Sequence, residues 1–249
     1  MRGRSTRCWH RMPLAPLARV PDAVEMLDRP APFADLSDCL DTIARFNAFF
    51  GGRFLTLRHV QRLIARLPAG RPVTVLDVGT GCADLPRALV RWARRAGRPV
   101  RVIALDRDPD MLRVARRYIA GCPEITLVQG DALSLPVKPE SVDVVMSGLT
   151  LHHLEPEPAI RFLGELDTAA GTGWLVNDLL RGRLAYAMVW LVTRLFTRNR
   201  MARHDGPLSV RRAYTLAETA RLCEKAGLFD VRLSGYGPLS RLCAVRVKR

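Results

Sequence analysis

The sequence predicts an α/β fold: an open, mostly parallel sheet with helices on both faces. Three observations carry this. Val73 to Val78 is an apolar, β-branched run without polar alternation, as expected of a parallel strand buried on both sides. Gly79-Thr80-Gly81 breaks it at once, and helical spacing follows through Leu85, Ala88, Leu89, Trp92, Ala93 and Ala96. Further apolar runs, Val100 to Leu105, Ile125 to Gln129 and Val142 to Met146, each lead into a polar or glycine pivot.

The remaining elements follow in order. Residues 1–35 read as largely irregular: Met1 to Arg11 is basic, and Met12 to Ala18 is too short and proline-broken for the apolar core of a signal peptide, so a disordered start is expected. Residues 36–68 carry two helical patterns, Leu36 to Phe50 and Phe54 to Leu67, joined by Gly51-Gly52, and read as a helical lid. The main domain spans 70–249. In it Asp84 is expected to cap the helix after the first strand, and Asp108-Pro109 opens the helix after the second, proline costing nothing in a first turn. Gly173 to Asp178 reads as strand five, and an insertion follows at about 179–210. Thr215 and Glu218 form a capping box for a helix stopped by Gly227. Phe229 to Ser234 and Leu239 to Val247 then complete seven strands, joined by Gly235 to Pro238.

In such a sheet a ligand lies beyond the carboxyl ends of the strands, where strand order switches, so Asp77, Asp106 and Asp131 are expected to converge on one site. Gly79 and Gly81 permit a sharp turn and close backbone approach. A dinucleotide fingerprint starting at Gly79 would require glycine where Asp84 stands, and a carboxylate there repels a pyrophosphate. A nucleoside ligand without phosphates fits better.

Four segments then bear comparison with a known family: Leu76-Asp-Val-Gly-Thr-Gly81, Ala104 to Leu112 (ALDRDPDML), Gln129-Gly-Asp-Ala132 and Leu151-His-His-Leu154. Together they resemble the class I S-adenosylmethionine-dependent methyltransferases, most of all the ubiquinone/menaquinone-type small-molecule enzymes, over roughly residues 70 to 180. The resemblance implies a Rossmann-like sheet ordered 3-2-1-4-5-7-6 with its last strand antiparallel. It also implies S-adenosylmethionine as cofactor, held by Asp77, Gly79, Thr80, Gly81, Asp106, Arg107, Met111, Asp131, Ala132, Ser147 and Leu149, with the three carboxylates toward amine, ribose and adenine. One departure is plain: the family's third glycine is Ala83 here.

Charge and cysteine bound the partners. Lys and Arg number 39 against 24 acidic residues, a formal charge of +15, and only Lys138, Lys225 and Lys248 are lysine. Such a surface attracts polyanions and anionic headgroups. The arginines are nevertheless scattered, without the aromatic interleaving that stacks bases, and Ser147-Gly148-Leu149 stands where an adenine-N6 methyltransferase carries Asn/Asp-Pro-Pro-Tyr, so no specific nucleic acid is expected. Six cysteines form no C-x-x-C pair and no metal-ligand spacing, so no metal is assigned and a reducing, cytoplasmic setting is expected.

The acceptor side is read from what the cofactor segments leave over. Phe46, Asn47 and Phe50 of the lid are candidate substrate contacts, with Asp178 after strand five and Tyr186 and Trp190 of the insertion; aromatic stripes pack cores equally well. Leu184 to Phe196 is apolar nearly all round between flanking arginines and falls short of the roughly 20 residues of a membrane span. Three placements compete for it: a lid on the site, a contact between two copies, or a helix lying peripherally on a membrane. Each favours a hydrophobic small-molecule acceptor. Candidate catalytic groups are His152, His153 and His204, the last beside Asp205. Methyl transfer to a phenol, quinone or polyketide-like acceptor, at oxygen or carbon, is the leading reading; a non-methylating use of the cofactor and an RNA-associated methyltransferase are the alternatives.

Overall fold

The computed structural model describes residues 17–237 and 240–248. The expected disordered start falls largely outside them, and so does Cys8; the five cysteines within them are free.

Seven strands form one sheet in the order β3-β2-β1-β4-β5-β7-β6. They are β1 (Val73–Val78), β2 (Val100–Asp106), β3 (Ile125–Gln129), β4 (Val142–Gly148), β5 (Ala170–Leu179), β6 (Arg232–Tyr236) and β7 (Arg241–Val247). All neighbours through β5 are parallel, and β7 runs antiparallel to both β5 and β6. The order reverses between β1 and β4. Asp77, in the last turn of β1, sits in register with Ala104 and Met146, so its carboxylate emerges at that switch.

Both faces are covered, which is why the strands lack alternation. One face packs Leu76, Val78 and Trp174 against Phe162, Leu163 and Leu166 of α5 (Pro156–Ala169). The other packs Val75, Val102 and Met146 against Leu55, Val60 and Leu63 of α2 (Gly52–Ile64) and Leu89 of α3 (Asp84–Arg95). Above the strand ends, α1 (Phe33–Phe49) lays Leu36 and Leu40 on Cys82 and on Met111 and Val114 of α4 (Pro109–Tyr118). The insertion is a helix pair, α6 (Arg183–Phe196) and α7 (Arg200–Arg212), and α8 (Leu216–Lys225) opens on the expected Thr215–Glu218 capping box.

Three details differ from the expected ones. Asp84 is the first residue of α3 and does not cap it; the cap is Ala83, in the left-handed conformation at φ 58°. Strand β6 starts later than predicted and takes in Gly235 and Tyr236. Residues 17–35 are ordered through contacts remote in sequence: Arg19 donates to Leu154 O and Arg212 O, Val20 N to Arg211 O, and Arg212 to Ala23 O. No helix is long and apolar enough to cross a membrane among the described residues.

Candidate active site

At the switch, the β1–α3 turn is held both from β2, where Leu105 O accepts from Gly79 N and Thr80 N (2.9 Å each), and by its own side chains. Gly79 has φ 73°, and a Cβ there would lie 2.3 Å from Thr150 Oγ1, so no side chain fits. Asp77 Oδ2 accepts from Thr80 Oγ1 (2.6 Å), while Asp77 Oδ1 is buried without a partner. Burial pushes this carboxyl up to about 7, against the hydrogen bond from Thr80. Asp106, at the end of β2, accepts from Gly81 N (2.9 Å) and Asp108 N (3.1 Å), and burial raises its pKa too. Asp131 accepts from Leu133 N (2.9 Å) and is exposed.

All three carboxylates line one cavity of about 400 Å³. Gly79, Thr80, Gly81, Arg107, Met111, Ala132 and Leu149 line it as well, so the loops named in the sequence meet there. Ser147 does not. Its hydroxyl is fully buried and donates to Val78 O (2.7 Å), tying β4 to β1 beneath the site.

The cavity continues under the helices, where its wall is apolar. Leu40 and Phe46 come from α1, Phe50 from just past its end, and Met188, Val189 and Val192 from α6. At the base of this half stand His152 and His153. His152 is 3% exposed, and its Nδ1 meets Asp178 Oδ1 at 2.6 Å; burial raises the Asp178 pKa, yet the imidazole overrides it and holds the carboxyl below its usual range. An ionised carboxylate only accepts, so Nδ1 is the donor in this pair. His153 Nδ1 lies 3.3 Å from Asp28. Between the two Nε2 atoms stands Glu25, whose carboxyl burial pushes up to about 7.

Comparison with known proteins agrees with this geometry. Residues 75–169 match the model of a methyltransferase domain family. A demethylmenaquinone methyltransferase of Roseiflexus castenholzii is 30% identical over 174 residues, which cover 65% of this chain and 71% of that protein. The chain belongs to the class I S-adenosylmethionine-dependent methyltransferases. A 2-phytyl-1,4-naphtoquinone methyltransferase of Thermosynechococcus vestitus is 37% identical over 126 residues, 49% of this chain. The match spans about half of that relative, 54% of its length. The crystal structure of a SAM dependent methyltransferase from Aquifex aeolicus shares the fold at a TM-score of 0.51 and 21% identity, covering 74% of this chain and 87% of that one. S-adenosylmethionine is therefore the cofactor.

Several acceptor-side expectations for this methyltransferase need correcting. Tyr186 and Trp190 are off the cavity wall, because α6 turns positions 188, 189, 192 and 193 inward and leaves Trp190 41% exposed under Arg194, whose guanidinium lies 4.3 Å from its ring. Asp178 stands behind His152 and does not line the wall. His204 points to solvent with its side chain 52% exposed, while its neighbour Asp205 turns in and accepts from Met26 N (2.8 Å) and Leu27 N (2.9 Å). Asn47 does line the cavity, but its amide is engaged by Asp84 (3.1 Å). Sequence reasoning missed Glu25, Asp28 and Arg212, and took Asp205 only as the neighbour of His204. No spacing marks the first two, which lie in the segment read as irregular.

The inward face of α6 lines the cavity with Met188, Val189, Val192 and Thr193. Its other side leaves Leu184, Leu191, Leu195 and Phe196 exposed.

Proposed function

We propose that this chain transfers the methyl group of S-adenosylmethionine to a hydroxyl oxygen on a hydrophobic ring compound. One observation carries the reading: a single cavity joins the carboxylate-lined cofactor rim to an apolar chamber whose only cluster of ionisable groups, among the described residues, sits around His152 and His153. In this pose the cofactor's ammonium lies at Asp77, its ribose at Asp106 and its adenine toward Asp131. Arg241, buried on the same wall with Nε and Nη1 unpartnered, faces the carboxylate of the methionine end. Phe46, Phe50, Met188 and Val192 grip the acceptor ring and turn its hydroxyl toward the histidines.

A sulfonium methyl is already activated, so the protein's main task is alignment and exclusion of water. Positioning of this kind contributes up to about 7–11 kcal/mol. In the transfer the C–S bond breaks as the O–C bond forms, S-adenosylhomocysteine leaves, and the hydroxyl proton passes to solvent. A second reading, attack by the ring carbon beside the hydroxyl, is favoured by the quinone named in the relatives.

The test is turnover with S-adenosylmethionine and a series of hydroxylated aromatics of rising hydrophobicity, followed by product mass and proton NMR. The expected product gains one methylene and shows a methoxy signal, with rates rising along the series. A ring-methyl signal selects the second reading, and cofactor binding without any methylated product overturns both.

A further inference from the structure

We propose that Glu25, His152 and His153 form a binding site for one divalent first-row transition-metal ion. The three offer ligand atoms that converge within one small volume of the cavity wall. His152 Nε2 lies 3.8 Å from Glu25 Oε1, and His153 Nε2 lies 4.0 Å from Glu25 Oε2. Both gaps are too long for hydrogen bonds. Two donors on a tetrahedral ion at about 2.0–2.1 Å stand about 3.3 Å apart, so side-chain rotations must close these two gaps by about 0.5 and 0.7 Å and bring the remaining pair of ligand atoms, within 4.8 Å of each other, together by up to about 1.5 Å.

Three further features point to an ion. Glu25 is only 2% exposed, yet its Oε1 has no hydrogen-bond partner, an arrangement costly for a buried oxygen unless something else binds there. Both imidazoles direct Nδ1 at a carboxylate, Asp178 for His152 and Asp28 for His153, which leaves both Nε2 atoms facing Glu25. Metal-bound histidines commonly have their second nitrogen held in this way. Finally, carboxylates dominate the immediate surroundings. Glu25, Asp28, Asp178 and Asp205 surround the two imidazoles; Arg212 lies 3.9 Å from Glu25 Oε1 and 3.2 Å from Asp28 Oδ2, while Arg107 and Arg241 reach Asp28 and Asp178 at longer range. Arg212 would repel the ion.

Two imidazoles and one carboxylate suit zinc, iron(II), cobalt(II) or manganese(II) better than magnesium or calcium, which prefer oxygen. With three protein ligands the ion keeps open positions on the cavity side. A bound ion would polarise the acceptor hydroxyl and favour loss of its proton. That role rests on the methyl-transfer reading, whereas the binding itself does not.

The full chain, stripped with chelator, is titrated with zinc and, separately, with cobalt(II), read by calorimetry, elemental analysis and the visible cobalt spectrum. The expected result is one ion per chain. His153→Ala, which removes a partly exposed ring, should weaken binding at least 100-fold, and Asp28→Asn, behind that ring, about 10–100-fold. If Glu25→Gln fails to fold, Asp28→Asn and the cobalt spectrum of the unaltered chain still decide. Substoichiometric binding, or affinity unchanged in His153→Ala, overturns the site. So does finding both histidines protonated at neutral pH by nitrogen NMR in the presence of zinc. S-adenosylmethionine binding measured in chelator separates the two readings: if it persists while no ion binds, the ion falls and the methyltransferase reading stands.

Discussion

The two halves of the cavity are built by different means. The cofactor half is made by strand ends and the loops that directly follow them, so Asp77, Asp106 and Asp131 are positioned by the sheet's own register. The acceptor half is assembled from four separate pieces: α1, the α6–α7 pair, the 151–154 turn and the segment around Glu25. Only contacts distant in sequence bring these together, such as Asp205 with Met26 and Leu27, and Arg212 with Ala23 and His153 O. Register tolerates little change, while an assembled wall can be re-cut residue by residue.

The largest expected effect breaks the first half alone. Asp106→Ala removes the ribose contact and the acceptor for Gly81 N and Asp108 N, so cofactor affinity should fall about 10–150-fold, equivalent to about 1.5–3 kcal/mol for charge-assisted bonds. The helix pair α6–α7 should keep its resistance to protease. Unchanged calorimetric affinity would show that the ribose lies elsewhere.

The same division explains what was legible in the sequence. A strand buried on both faces must be continuously apolar, and a loop passing close to a ligand must carry glycine, so the sheet, its pivots and most residues lining the strand-end part of the cavity can be read directly. Ser147 is an exception: it is the last residue but one of β4, and a strand's alternation decides whether its hydroxyl faces the cavity or the neighbouring backbone. The acceptor wall leaves weaker marks. Leu184 to Phe196 is apolar nearly all round, so spacing does not reveal which face turns in, and Tyr186 and Trp190 lie off the cavity wall. Glu25 lies in a segment without periodicity, ordered by arginines and an aspartate far along the chain.

A subtler expectation sharpens the comparison through pH. Burial raises Asp77 to about 7 in the cofactor-free chain, so its ionised form costs folding free energy: stability falls as pH rises from the ordinary carboxylate range toward 7 and then levels off. The cofactor's ammonium reverses the preference. Over pH of about 5.5 to 7, where an α-amino group stays protonated, affinity should rise by up to about tenfold per unit, with proton release on binding. Calorimetry in buffers of different ionisation enthalpy measures that release. A flat affinity across this range would mean that Asp77 does not receive the amine.

The smallest expected effect concerns Ala83, where this chain departs from the family's glycine. The residue is fully buried at φ 58° and ψ 33°, a left-handed conformation costing an L-residue about 1–2 kcal/mol that glycine adopts freely. Glycine also loses more freedom on folding, by roughly 0.5–1 kcal/mol, and gives up the buried methyl, so the terms nearly cancel. Ala83→Gly should therefore change stability by no more than about 1 kcal/mol, a shift of a few degrees or less in Tm for a chain of this size. The informative readout is the cofactor. Because the turn around Ala83 is held by the Ala83 N to Thr80 O bond and by Asp106 on Gly81, cofactor affinity should stay within about twofold. A larger loss would mean that the methyl itself shapes the cofactor half, making that half as dependent on individual side chains as the acceptor wall.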